Sequence, residues 1–285
     1  MNKIGIVANP QSPLAGKAVA EAAAWLGGRG LSVILDHETA SAAGMTGGVD
    51  MNLVARDADL MLVLGGDGTL IGVARLLEGR KVPVLGVNLG SLGFLTEFTV
   101  AEMYPALERA LAGDYKYEDR IMLAADLSFD GKKAASYTAL NDVLIHRGET
   151  SQLITVRVEV NGELLNLYTA DGLIISTPTG STAYNLSANG PIVYPSLNAI
   201  IITPVCPQTL SIRPIVIPDS GTIGISIAPR AKGNTAEAVV DGQVAFGINT
   251  RSRVAIRRSG DVTRIIQSPY TSYYKLLRGK LRWGE

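Results

Sequence analysis

Leu60-Met61-Leu62-Val63-Leu64-Gly65-Gly66-Asp67-Gly68-Thr69-Leu70 decides how the first half of this chain folds. Its first five residues are an unbroken apolar run of buried-strand length. Leu70-Ile71-Gly72-Val73-Ala74-Arg75-Leu76-Leu77 then repeats apolar side chains at helical spacing. The glycines therefore sit in a turn from strand to helix, at the carboxyl end of a strand, where open α/β sheets bind ligands. Gly65, Gly66 and Gly68 let backbone approach a ligand closely, because no Cβ intervenes. The helix start offers N–H groups to phosphate oxygens. Asp67 would repel an anion, so in that setting it reads as a proton acceptor for an attacking hydroxyl. The same residues also read as a plain tight turn, whose geometry Asp tolerates.

Outward from that stretch, strands alternate with helices. Ile4-Gly5-Ile6-Val7-Ala8 is a first strand, ended by Asn9-Pro10. Lys17 to Leu26 is an alanine-rich helix stopped by Gly27-Gly28, and Leu31 to Leu35 is a second strand. Ala40 to Gly48 is small and polar without a period and reads as a mobile loop over the sheet edge. Val82 to Asn88 is another strand, leading into a second glycine-rich turn, Gly90-Ser91-Leu92-Gly93-Phe94-Leu95-Thr96-Glu97. Thr99 is placed to cap a helix through Leu111 with Pro105 near its first turn. The alternation predicts a doubly wound parallel sheet.

After Gly113 the pattern changes. Asp130-Gly131, Asn161-Gly162 and Asp241-Gly242 each punctuate alternating apolar runs, as hairpin turns do. Val254 to Asp261 is read as a further hairpin of this kind. The prediction is an N-terminal α/β domain, 1–116, and a C-terminal antiparallel β-sandwich-like domain, 117–261. Residues 262–285, with Tyr273, Leu276, Leu277 and Leu281, read as a strand end and an amphipathic helix returning to the first domain.

Composition narrows the function classes. Apolar residues make up 47%, ample for a core of this size. Lys plus Arg equals Asp plus Glu at 26 each, which argues against a nucleic-acid partner. A single cysteine, Cys206, rules out an internal disulfide and fits a cytoplasmic location. No apolar run is long enough to span a membrane, and the first residues are too soon interrupted for a signal peptide. Two unclustered histidines and one cysteine make no structural metal site.

Two segments of the β half carry more polar residues than strands need. In the first, Asn141-Asp142 interrupts an apolar run. An amide suits a purine edge and a carboxylate accepts from ribose hydroxyls, although a turn pair at a strand start explains them equally well. The second runs from Thr169 to Pro191. After the strand Leu173 to Ser176, small hydroxyl and glycine residues crowd together, and Ser181 or Thr182 is placed to cap a short helix through Ser187. Such a helix start would suit phosphates or sugars.

Together these residues resemble the NAD kinase family over nearly the whole chain. Gly65-Gly66-Asp67-Gly68-Thr69 alone is shared with diacylglycerol and sphingosine kinases, and 6-phosphofructokinases have a close variant. Asn141-Asp142 with the run from Thr169 to Pro191 is specific to NAD kinases. Ile202 to Pro207, Leu210 to Pro214, and Gly86-Val87-Asn88 with Gly90 to Thr96 are similar to that family as well. The resemblance implies transfer of the γ-phosphoryl group of ATP to the 2′-hydroxyl of the adenosine ribose of NAD, giving NADP.

By the same resemblance Asp67 is the proton acceptor, with Gly66 and Gly68 against the dinucleotide. Asn141 and Asp142 grip adenosine. Gln152, Thr169, Asp171, Gln243 and the loop Thr182-Ala183-Tyr184-Asn185-Leu186-Ser187 supply further contacts. Arg75 reads equally as a phosphate ligand or a solvated helix residue. The chain departs from the family where Asp142 often is Glu, where Gln208 often is His, where Thr169 often is Arg and where Gln152 often is basic. The site is expected in the cleft between the two domains. Mg²⁺ or another divalent cation is expected to arrive with ATP, since no dedicated metal cage is visible. Hairpin edges that need covering predict a homodimer or homotetramer. A lipid kinase and a non-catalytic nucleotide sensor are the rival readings.

Overall fold

The structure, a computed structural model, describes residues 1–149, 152–229 and 235–283. Residues 284–285 of the expected C-terminal tail lie outside these. The chain divides into two compact units, Met1–Asp119 with Thr263–Glu285, and Arg120–Val262.

The first unit contains β1 (Lys3–Ala8), α1 (Ala15–Gly27), β2 (Ser32–Leu35), α2 (His37–Ala42), α3 (Met51–Asp57), β3 (Leu60–Leu64), α4 (Asp67–Leu76), β4 (Val84–Asn88), β5 (Phe98–Thr99) and α5 (Met103–Leu111). The sheet runs β2-β1-β3-β4, parallel throughout. β3 is buried along its full length, which is why its sequence is apolar without alternation. Ile4, Ile6, Leu60, Leu62 and Leu64 face one core with α1 and α5. The other face is so close to α3 that a Cβ on Gly5 would lie 2.9 Å from Val54 Cγ1. Helices on both faces make the unit doubly wound, as the alternation of elements predicts.

Two short helices go beyond the sequence reading. The stretch from Ala40, expected as a loop, begins inside α2. Asp36 accepts hydrogen bonds from Glu38 N and Thr39 N, both at 3.0 Å, and the cap outweighs the missing apolar period. Thr39 Oγ1 in turn accepts from Ala8 N at 2.8 Å, fixing α2 to the end of β1. Asp50 caps α3 in the same way, through Asn52 N at 2.8 Å. Thr99 and Glu102 form a capping box over a short 3₁₀ turn that feeds α5.

The second unit is antiparallel. It holds most of β6 (Tyr117–Phe129), then β7 (Lys132–Ala139), β8 (Asp142–His146), β9 (Ile154–Val160), β10 (Glu163–Ala170) and β11 (Gly172–Ser176). After α6 (Tyr184–Ser187) come β12 (Ala199–Val205), β13 (Ile215–Pro218), β14 (Ile223–Ile227), β15 (Thr235–Val240), β16 (Val244–Asn249) and β17 (Ser252–Ile266). One layer runs β10-β9-β14-β17 and the other β13-β12-β11-β8-β15-β16. Ile154, Val156 and Ile225 from the first meet Val143, Leu173, Ile200 and Val240 from the second in one core, a sandwich. The three expected hairpin turns have positive φ at both central residues: Asp130 and Gly131, Asn161 and Gly162, Asp241 and Gly242.

The hairpin expected at Val254 to Asp261 is not formed. β17 runs straight through Ser259-Gly260-Asp261 as one strand, paired with β14 over residues 253–256 and with β6 as a further neighbour on the sheet. Its residues from Thr263 belong to the first unit, where Ile265 pairs in parallel with Val84, and α7 (Tyr273–Leu281) follows there. No described helix is long and apolar enough to cross a membrane.

Candidate active site

β2 and β3 flank β1 on opposite sides, so the strand order reverses direction between β1 and β3. At such a switch point the loops leaving two neighbouring strands diverge and open a crevice for a ligand. The Gly65-Gly66-Asp67-Gly68 turn leaves β3 there, beside Asn9 at the end of β1, where Asn9 N donates to Leu64 O at 3.0 Å. Asp67 is the first residue of α4, where a carboxylate complements the helix dipole. A Cβ on Gly65 would meet Thr69 Oγ1 at 2.6 Å, so packing within the turn requires that glycine. At Gly66 and Gly68 a Cβ would meet nothing within 4 Å, and neither has positive φ. Neither packing nor backbone geometry asks for glycine at these two, which disfavours the plain-turn reading.

The half-buried Asp67 carboxylate is held by the second glycine-rich turn. Oδ1 accepts from Leu95 N at 3.1 Å, Thr96 N at 3.0 Å and Thr96 Oγ1 at 3.0 Å. Oδ2 accepts from Phe94 N at 2.8 Å. The turn closes on itself through Gly93 N, which donates to Thr96 O at 3.1 Å. Gly93 is required here because a Cβ would lie 2.6 Å from Asp67 Cγ. Further on, Phe94 rests on Tyr273 of α7, with ring centroids 6.3 Å apart, and Glu97 accepts from Ser268 N at 2.9 Å. Sequence reasoning marked this turn as glycine-rich but assigned it no partner, because the contact joins segments far apart in the chain.

In the second unit Asn141 immediately precedes β8 and Asp142 opens it. Their backbone is fixed by Asp241, which accepts from Leu140 N at 2.9 Å, Asn141 N at 2.8 Å and Asp142 N at 3.1 Å. Sequence reasoning treated Asp241 only as a turn residue. The Asn141 side-chain amide makes no hydrogen bond among the described residues and is half-buried. Asp142 is buried. Burial, and secondarily the neighbouring Asp241 carboxylate, pushes the Asp142 carboxyl up to about 7.

The run from Thr169 to Pro191 turns most of its polar groups inward. Thr177 Oγ1 donates to Leu140 O at 2.6 Å, and Ser176 Oγ to Asn141 O at 3.2 Å. Gly180 packs so tightly that a Cβ would lie 2.6 Å from the Asn141 carbonyl carbon. Neither Ser181 nor Thr182 caps α6, whose N-cap is Ala183. The Ser181 hydroxyl instead donates to Pro178 O at 2.6 Å and accepts from Val193 N at 3.1 Å. Asn185 is buried, its amide donating to Ser181 O and Pro191 O and accepting from Thr203 Oγ1. Thr182, Ala183 and Leu186 are half-buried; Tyr184 and Ser187 are exposed.

The remaining residues lie elsewhere on the same unit. Asp142 pairs with Ser176 at one end of β8 and β11, and His146 with Gly172 at the other. The ends are about 14 Å apart at the usual strand rise. Asp171 stands at the far end, its carboxylate paired with Arg147 Nε at 2.9 Å. Thr169 is near it, hydrogen-bonded to Thr155 Oγ1 at 3.0 Å, and Gln152 precedes the strand that pairs with it. Gln243 is exposed in the turn after Asp241. In the first unit Arg75 lies in the last turn of α4, about 12 Å along the helix axis from Asp67. Among the described residues no cluster of three His, Cys, Asp or Glu could hold a metal ion.

Comparison with known proteins covers both halves of the chain. A model of the ATP-NAD kinase N-terminal domain matches residues 4–115, and one of the C-terminal domain matches residues 140–268. The chain is 46% identical to the NAD kinase of Geotalea daltonii and to that of Geobacter sulfurreducens, in each case over 100% of both chains. The crystal structure of yeast NADH kinase complexed with NADH superposes with a TM-score of 0.93 at 25% identity, covering 100% of this chain and 88% of that one. The turn that presents Asp67, the sandwich that carries Asn141 and Asp142, and full-length similarity to curated relatives together show that the chain belongs to the NAD kinase family.

Proposed function

We propose that, in the phosphorylation of NAD to NADP which this NAD kinase carries out, Asp67 Oδ2 takes the proton of the 2′-hydroxyl on the adenosine ribose. The oxygen of that hydroxyl attacks the γ-phosphorus of ATP. The bond from the γ-phosphorus to the bridging oxygen breaks, and ADP leaves with the electron pair. Transition states of this kind are loose, so Asp67 serves as much by orienting the hydroxyl as by basicity. A divalent cation, carried in by ATP as part of that substrate, neutralises the triphosphate. Gly66 and Gly68 let the ligands approach the opening turn of α4. Asn141, with its unspent amide, and Asp142 hold the adenosine. Gln243 and Thr182 to Ser187 lie at that end of the sandwich, with Asn185 shaping the loop from within. Gln152, Thr169 and Asp171 take the remaining part of the dinucleotide.

The observation that carries this reading is the carboxylate at the switch point, fixed by three backbone N–H groups and one hydroxyl and flanked by two glycines that the fold does not require. The test is steady-state NADP formation from Mg-ATP and NAD. Asp67→Asn should fold normally and lose on the order of 10²–10⁴ in kcat. Wild-type activity in that variant would remove the role, and wild-type turnover in excess EDTA would remove the cation.

The edge strand β10 exposes Leu164 and Leu167, and such an edge is commonly covered by a second copy. We read the chain as a homodimer or homotetramer. A cytoplasmic location fits its single cysteine, and recovery of the protein outside the cytoplasm on cell fractionation would contradict that.

A further inference from the structure

We infer that Thr96 is a positioning residue whose hydroxyl holds the Asp67 carboxylate in one orientation. It occupies Oδ1 and leaves Oδ2 to the acceptor hydroxyl. The inference rests on the reading of Asp67 as proton acceptor and deepens it.

Each carboxylate oxygen offers about two lone-pair sites. Oδ1 already receives Leu95 N, Thr96 N and the Thr96 hydroxyl, and is saturated. Among the described residues Oδ2 receives Phe94 N alone and keeps one site open. The Thr96 hydroxyl has a single proton, and its direction is set from behind. Asn88 Nδ2 donates to Thr96 Oγ1 at 2.9 Å, so the hydroxyl accepts there and donates to Asp67. The orientation of the Asn88 amide is fixed in turn, because Gly90 N donates to its Oδ1 at 2.7 Å. Only the amide nitrogen can then face Thr96.

The side chain is also locked sterically. Thr96 is fully buried, and its methyl packs where a Cβ on Gly86 would come within 3.0 Å. A β-branched residue so enclosed keeps one χ1 rotamer. Asn88, Thr96 and Asp67 thus form a directed chain of hydrogen bonds that ends on the carboxylate. A carboxylate tied only by backbone N–H groups could tilt and exchange its two oxygens; the hydroxyl on one edge prevents that.

The test is a kinetic comparison of Thr96→Val and Thr96→Ser with Asp67→Asn, alone and combined. Thr96→Val keeps the shape and removes the hydroxyl. Its kcat should fall about tenfold, the worth of one hydrogen bond to a charged group, with KM for NAD and for Mg-ATP within about twofold of wild type. Thr96→Ser should restore kcat to within about twofold. In the Asp67→Asn background Thr96→Val should cost nothing further, because the oxygen it orients is no longer a base.

A Thr96→Val enzyme with wild-type kcat, one altered only in KM, or a serine variant as slow as the valine variant would overturn the inference while Asp67→Asn stays inactive. An active Asp67→Asn enzyme would instead overturn the role of Asp67, and this inference with it. If Thr96→Val does not fold, Asn88→Ala carries the test. Freeing the hydroxyl to rotate should lower kcat about threefold at unchanged KM, and an unchanged kcat there would equally overturn it.

Discussion

Replacing Gly93 by alanine tests the geometry around Asp67 without touching the carboxylate. The new methyl carbon would lie 2.6 Å from Asp67 Cγ and 2.5 Å from Thr96 Oγ1, while ordinary contact begins at 3.4 Å. Its nearest neighbour would be Asp67 Oδ1, which it overlaps outright, so the carboxylate must retreat by more than about 1 Å, or the turn must open by as much. The first movement strains the four hydrogen bonds on the carboxylate; the second breaks Gly93 N to Thr96 O. Gly93 does not have positive φ, so alanine adds no backbone strain and the whole cost comes from the contact. Overpacking of this kind costs about 1–3 kcal/mol, which a stable two-domain chain survives. A misplacement of about 1 Å at a reacting group already costs roughly 10²-fold in rate, or about 2.7 kcal/mol on the barrier. The assay is steady-state NADP formation beside a thermal melt of the same preparation. A folded Gly93→Ala enzyme with kcat within about threefold of wild type would refute the claim that the second turn positions the carboxylate.

Two further outcomes follow from the second unit. The Asp142 carboxyl is raised to about 7 from its usual 3.8, so the folded chain keeps a proton that the unfolded chain releases. Stability should fall as pH rises between about 4 and 7, and Asp142→Asn should abolish that slope and gain on the order of a few kcal/mol at pH 8. Urea unfolding at pH 5 and pH 8 measures it, and an unchanged slope would contradict the burial of this acid. Ribose hydroxyls donate to the ionised form, so the KM for NAD should fall about tenfold from pH 6 to pH 8 in wild type and stay flat in Asp142→Asn. For the β10 edge, light scattering at micromolar concentration should show a dimer or tetramer that Leu164→Lys with Leu167→Lys dissociates. A monomeric wild type would end that proposal.

Much of the architecture was legible in the residues because it is local. The apolar run of β3, the helical spacing after Asp67 and the Asp-Gly and Asn-Gly turns each declare their geometry within a few positions. The Asp36 cap makes α2 from a stretch with no apolar period, whereas α3 has both a cap, Asp50, and an apolar face at Val54, Ala55 and Ala58. Ser259-Gly260-Asp261 carries turn residues, yet pairing along β17 overrides them. The site was half legible. Asp67 stood out by chemistry, as did Asn141 and Asp142. Their supports did not, because Thr96 reaches Asp67, and Asp241 reaches Leu140, Asn141 and Asp142, across long stretches of chain. The hydroxyls of Ser176, Thr177 and Ser181 looked like ligand groups in the sequence. They are hydrogen-bonded inside the loop, and polar composition cannot distinguish those two uses.

The claim everything else depends on is that the Asp67 carboxylate meets the ribose alcohol that is phosphorylated. A crystal structure of the chain with NAD bound tests it most directly. The 2′-oxygen of the adenosine ribose should lie about 2.6–3.2 Å from Asp67 Oδ2, with Thr96 Oγ1 still on Oδ1. A complex in which that oxygen approaches a different acid or base, with Asp67 facing only its own turn, would contradict it.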